Sequence, residues 1–129
     1  MVGKTHRFHG HASLHAVYRR GLTMRGTAVS LKYQRRPGSR PYRVAVVVSR
    51  KISKSAVVRN RIRRRLYEVV RVLDKGQFDG FDLILTVFSD QLASMSAAQL
   101  KVMVTELIDK AVASERQPAA HGIVNTEGK

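Results

Sequence analysis

From Arg50 to Arg71 the chain reads RKISKSAVVRNRIRRRLYEVVR, nine Lys/Arg and one acid. Within and just beyond it, Val58, Ile62, Leu66, Val69 and Leu73 recur at helical spacing. A segment of this kind must bury one apolar stripe against a core and spread its guanidinium groups over the remaining surface. At about 100° per residue, Asn60, Arg64, Tyr67, Glu68 and Arg71 centre opposite the stripe. Arg61 and Arg65 flank the stripe on one edge, and Arg59 and Arg63 on the other. Like charges one turn apart, such as Arg59/Arg63 and Arg61/Arg65, each cost a few tenths of a kcal/mol in an isolated helix. A merely solvated face would mix both signs, and here the acids are missing. The helix therefore expects a polyanion.

The rest of the charge pattern points the same way. The 129 residues carry a formal charge of +15, and residues 1–67 hold 18 of the 24 Lys/Arg and none of the nine Asp/Glu. So one-sided a distribution repels itself in a free domain and is relieved by condensed phosphate. Arginine outnumbers lysine in the basic helix, which favours bidentate phosphate contact and stacking on bases. Asn60 offers both a donor and an acceptor to a base edge or ribose hydroxyl, although a plain exposed polar residue accounts for it equally well. An anionic membrane surface fits less well, because the helix has a core-type stripe rather than a wide lipid-facing one. With 43% hydrophobic residues and a length typical of one domain, a real core is feasible. The absence of cysteine excludes disulfides, thiolate metal sites and cysteine nucleophiles. Neither a membrane-spanning apolar run nor a signal-peptide stretch is present in the sequence, so the expected location is cytoplasmic.

Along the chain, Met1–Gly10 is polar and His-rich, and its first residues are expected to be loosely held. His11–Arg20 predicts a short helix stopped by Gly21. Thr27–Gln34 alternates as a half-buried strand, Arg35–Pro41 (RRPGSRP) is a turn, and Tyr42–Ser49 reads as an interior strand. Ser53 or Ser55 caps the long basic helix, which runs to about Lys75 before Gly76. Phe81–Phe88 is a further interior strand, and Ser94 or Ser96 caps a last helix over Ala97–Ala113. The expected fold class is α/β, a two-layer sandwich in the order α-β-β-α-β-α with a β-α-β crossover. General chirality predicts that this crossover is right-handed. Residues 1–113 form the expected single RNA-binding domain, and 114–129 a flexible C-terminal tail.

Catalysis by protein groups finds little support. A two-metal carboxylate site cannot be built in a half without carboxylates, and Asp79 and Asp82, at a strand start, read as solvated. His6, His9, His11 and His15 cluster, with His11 and His15 one helical turn apart. They lack the Glu and third ligand of a zinc site and read as surface histidines, with a His-dependent nuclease as the sharper alternative. The reading is no catalytic and no metal-binding residue in the protein.

The run Ala56-Val57-Val58-Arg59-Asn60-Arg61-Ile62-Arg63-Arg64, following a β-branched strand and Ser49-Arg50-Lys51, resembles the signature helix of the bacterial ribonuclease P protein subunit. Arg7-Phe8 before the first helix resembles that family too, and the element order agrees over about residues 6–113. The resemblance implies a protein that binds the catalytic RNA subunit and the 5′ leader of precursor tRNA. It would assist 5′ maturation while Mg2+ is held mainly by the RNA. It also implies a left-handed crossover, against the general rule. Arg59, Asn60, Arg61, Arg63 and Arg64 match the helix pressed against the RNA, and Lys51 the basic residue before it. Lys54 and Arg65 complete the expected RNA-binding set. Phe8, Tyr18, and Lys32 or Tyr33 according to register, are the expected leader-cleft residues. Leu14 stands where many relatives carry an aromatic residue, and Ser53 where glycine is common. The alternative reading is a ribosomal or RNA-chaperone protein with no role in cleavage, which the charge asymmetry fits equally well.

Overall fold

The computed structural model describes residues 3–8, 11–36, 38 and 40–116. Its elements are α1 (His11–Arg20), β1 (Leu22–Met24), β2 (Val29–Arg35), β3 (Arg43–Val47), α2 (Ala56–Leu73), β4 (Phe81–Val87) and α3 (Ala97–Arg116). Single 3-10 turns stand at Lys4–His6 and Asp90–Ala93. The strands form one sheet in the order β1-β2-β4-β3. β1 and β2 are antiparallel, as are β2 and β4, whereas β3 and β4 are parallel and joined through α2. The expected β-α-β unit is thus present. The short strand β1 was not expected: three residues are too few to show a period, and it exists because it pairs with β2.

Alternation assigns the two sheet faces. Val29, Leu31 and Tyr33 of β2, Val44 and Val46 of β3, and Leu83, Leu85 and Val87 of β4 share one face. They pack with Ile62, Leu66 and Val70 of α2 and with Leu100, Val104, Ile108 and Ala111 of α3. This is the helix-on-sheet packing that the sequence predicts for α2 and α3. The second face carries Lys32, Ile84 and Ala45 in one row and Gln34, Asp82 and Arg43 in the next. α1 packs against β2 and β4. Its Val17 and the second-face Ile84 are both fully buried, yet neither belongs to the core under α2 and α3. α1 therefore lies on the second face.

The caps resolve two open choices. Ser55, not Ser53, is the N-cap of α2, with its Oγ accepting from the Val58 amide at 3.2 Å, while the Ser53 Oγ accepts from the Ser55 amide. Ser96 and Gln99 form a reciprocal capping box at α3, side chain to amide in both directions. α2 ends at Leu73, earlier than Lys75, and α3 continues past Ala113 to Arg116. The rest of the expected tail, 117–129, lies outside the described residues. Gly21 does end α1: a Cβ there would meet the Val17 carbonyl oxygen at 2.5 Å and that of Tyr33 at 2.8 Å. Only glycine lets the chain leave the helix so close to β2.

The N-terminal segment is held more firmly than its composition implies. Arg7 bridges in parallel to Val44, extending the β3 edge. The His6 ring stacks on Tyr42 with centroids 3.9 Å apart, and His6 Nδ1 lies 2.9 Å from the Tyr42 carbonyl oxygen. The first two residues, His9 and Gly10 lie outside the described residues, as do Pro37 and Ser39 in the turn before β3.

Candidate nucleic-acid interface

The α2 stripe is centred on Ile62, Leu66 and Val70, all fully buried, with Val58, Val69 and Leu73 packed at its margins. Val70 rather than Val69 is thus the third core position. That phase turns Asn60, Arg61 and Arg64 outward, all exposed, and Lys51 and Lys54 stand exposed on the loop before the helix. Tyr67 departs from the solvent-side placement expected for it. Its hydroxyl accepts from the Val46 amide at 3.3 Å, and the Arg7 guanidinium lies 5.7 Å from its ring centroid.

The expected RNA-binding arginines divide by what they already hold. Arg65 donates from Nη1 to the carbonyls of Leu92 at 2.7 Å and Ala93 at 3.0 Å, and from Nη2 to that of Met95. It clamps α2 to the 3-10 turn before α3. Arg59 donates from Nη1 to the Ser53 carbonyl at 2.8 Å, steadying the loop that displays Lys51 and Lys54. Arg63 donates from Nη2 to the Asn60 Oδ1, one turn back on the exposed surface of the helix. Further along, Arg71 pairs with Glu68 and holds its carboxyl below the usual range, chiefly by hydrogen bonding. The first acid of the chain thus lies at the far end of the basic face.

The second candidate surface is the second sheet face beside α1. Lys32 lies on it, half-buried, whereas Tyr33 points the other way and is 1% exposed in the core. Register therefore selects Lys32, and Tyr33 is corrected to a core residue. Tyr18 is 42% exposed on α1. Phe8 is half-buried, and the Arg43 guanidinium stands 5.0 Å from its ring centroid. Phe8 and Lys32 thus approach the same sheet face from the β3 and β2 sides.

Asp82 overturns the solvated reading given to it. It is 2% exposed, accepting from Arg43 Nε at 2.8 Å and Nη2 at 2.7 Å, with Arg36 Nε at 2.9 Å. A charge inside the otherwise apolar run FDLILTV was the available signal, since a carboxylate in an interior strand needs a partner. Desolvation lowers the Arg36 pKa, while the hydrogen bond to Asp82 raises that of Arg43.

His11 and His15 are exposed on α1. Among the described residues, no group of three or more His, Asp or Glu side chains is placed to hold a metal ion. No described helix is long and apolar enough to cross a membrane.

The family model for ribonuclease P matches residues 2–112. The chain belongs to the bacterial ribonuclease P protein family. A ribonuclease P protein component from a Synechococcus species is 32% identical over 114 residues, covering 86% of this chain and 85% of that one. In fold, the chain resembles the ribonuclease P protein of Staphylococcus aureus, with a TM-score of 0.71, 21% identity and coverage of 84% of this chain and 96% of that one. The Thermotoga maritima ribonuclease P protein gives 0.70 at 18% identity, covering 81% and 96%. Family membership decides against the ribosomal or chaperone reading and leaves the RNA contacts to be argued from geometry.

Proposed function

We propose that this chain is the non-catalytic subunit of a ribonucleoprotein endonuclease that removes the 5′ leader of precursor tRNA. The catalytic RNA meets the outward face of α2 through Asn60, Arg61 and Arg64, with Arg63 at its margin and Lys51 and Lys54 on the preceding loop. Arg59 and Arg65 act by holding that face in place. The single-stranded leader lies on the second sheet face, where Lys32 supplies charge and Phe8 and Tyr18 supply rings.

The single observation that carries this reading is the exposed arginine face over the first turns of α2, whose one acid, Glu68, lies at the far end paired with Arg71, and whose opposite stripe is committed to the core. Each phosphate it neutralises releases condensed counterions. Holding leader and RNA subunit together raises substrate affinity and lowers the magnesium requirement. The magnesium ions that activate water belong to the RNA partner in this reading, and the protein acts in the cytoplasm.

The test is precursor-tRNA cleavage at limiting magnesium with the cognate catalytic RNA, with and without this protein. Stimulation is expected. Its absence removes the proposal, and cleavage by the protein alone, abolished by changing His11 and His15, would replace it with a His-dependent nuclease.

A further inference from the structure

Burying a carboxylate is costly unless charge and hydrogen bonds compensate it, and an apolar residue at such a site is often at least as stable. Asp82 nevertheless sits at the end of the second sheet face, its two oxygens taken by the Nε and Nη2 edge of Arg43. A guanidinium held by that edge cannot rotate. Its plane is fixed, and its remaining donors point away from the carboxylate. The Arg43 side chain stays 22% exposed, and the ring of Phe8 lies 5.0 Å from its centre. Phe8 is itself located by the neighbouring Arg7–Val44 bridge. Arg36, packed against the same carboxylate and donating to the Pro41 carbonyl, braces the turn behind it. With Arg40 close by, the cluster keeps a surplus of positive charge.

We infer that Asp82 is a positioning residue that locks Arg43 beside Phe8, creating a preformed subsite for one nucleotide of single-stranded RNA. The ring offers a stacking face to the base, and the outer edge of the guanidinium meets the adjoining phosphate. This subsite lies one row along the sheet from Lys32, so one strand can run over both. The inference rests on the proposal that the leader occupies this face.

The experiment uses holoenzyme reconstituted with the catalytic RNA and two precursor tRNAs, one with an extended leader and one trimmed to a single leader nucleotide. Wild-type protein is expected to favour the extended substrate through KM, and loss of that preference would remove the leader reading and this subsite with it. Given the preference, Asp82→Asn is expected to raise KM for the extended substrate about tenfold, the worth of roughly one stacked base, with kcat and the trimmed-substrate KM moving far less. A variant that folds and keeps the wild-type preference overturns the subsite while leaving the leader reading intact, as does an equal loss on both substrates. Arg43→Lys keeps the charge but loses the fork, and it must show the same KM split. If Asp82→Asn loses its thermal transition, Arg43→Lys decides alone.

Discussion

The Nη1 of Arg65 donates to the main-chain carbonyl of Leu92 across 2.7 Å, tying the middle of the basic helix to the turn that introduces α3. One residue earlier, Arg64 is exposed. Adjacent arginines in one motif therefore do different work. Arg65→Ala leaves several carbonyls without their donor and is expected to destabilise the protein by about 1.5–3 kcal/mol, the range for hydrogen bonds to a charged group. Arg64→Ala is expected to leave the thermal midpoint almost unchanged. Urea melts of both variants check this, and equal stability would mean that the Arg65 clamp is dispensable.

The outward residues carry the electrostatic prediction. Arg61→Ala and Arg64→Ala are each expected to weaken binding to the catalytic RNA and to reduce the slope of log affinity against log salt by about one. Filter binding across a salt series measures both quantities. Slopes that stay at the wild-type value would place the RNA on another surface.

Ile62 lies on the opposite side of the same helix and is fully buried. Ile62→Ala is expected to cost about 2–5 kcal/mol through lost burial and the cavity left behind. Denaturant unfolding reads this directly, and a variant as stable as wild type would refute the helix phase on which the proposed RNA face depends.

The alkaline limb of stability should report Tyr42. Burial, with the nearby carboxylates of Asp74 and Asp79 adding to it, pushes its hydroxyl up from the ordinary 10 to about 12. The folded state therefore holds this proton more tightly than the unfolded chain. The associated stability is complete below pH 10 and is lost as pH rises from there toward 12. Tyr42→Phe should flatten that decline, as followed by urea midpoints across the alkaline range. An unchanged decline would assign it to other groups.

Much of the architecture was legible from local pattern. The α2 stripe, the β-branched run of β3 and the alternation of β2 each advertise themselves over a few residues, because helix and strand periods are properties of neighbouring positions. The capping serines were legible as pairs of choices, and local hydrogen bonds select Ser55 and Ser96. β1 was not legible, since three residues carry no period and its pairing with β2 creates it.

The candidate site divides along the same line. By itself the amino-acid order determined that one helix must bury an apolar stripe and show an arginine-rich surface with a single acid, because side-chain direction on a helix follows from spacing alone. Only the folded chain decided which of those arginines stay available. Arg65 meets its carbonyl partners 27 to 30 positions away, and Arg43 meets Asp82 across 39. It likewise decided that Lys32 and not Tyr33 lies on the sheet face that α1 packs against. Alternation separates two faces, but which one becomes core depends on where α1, α2 and α3 come to rest. Such partners are joined by packing across the sheet, and packing at that range leaves no trace in the spacing of neighbouring residues.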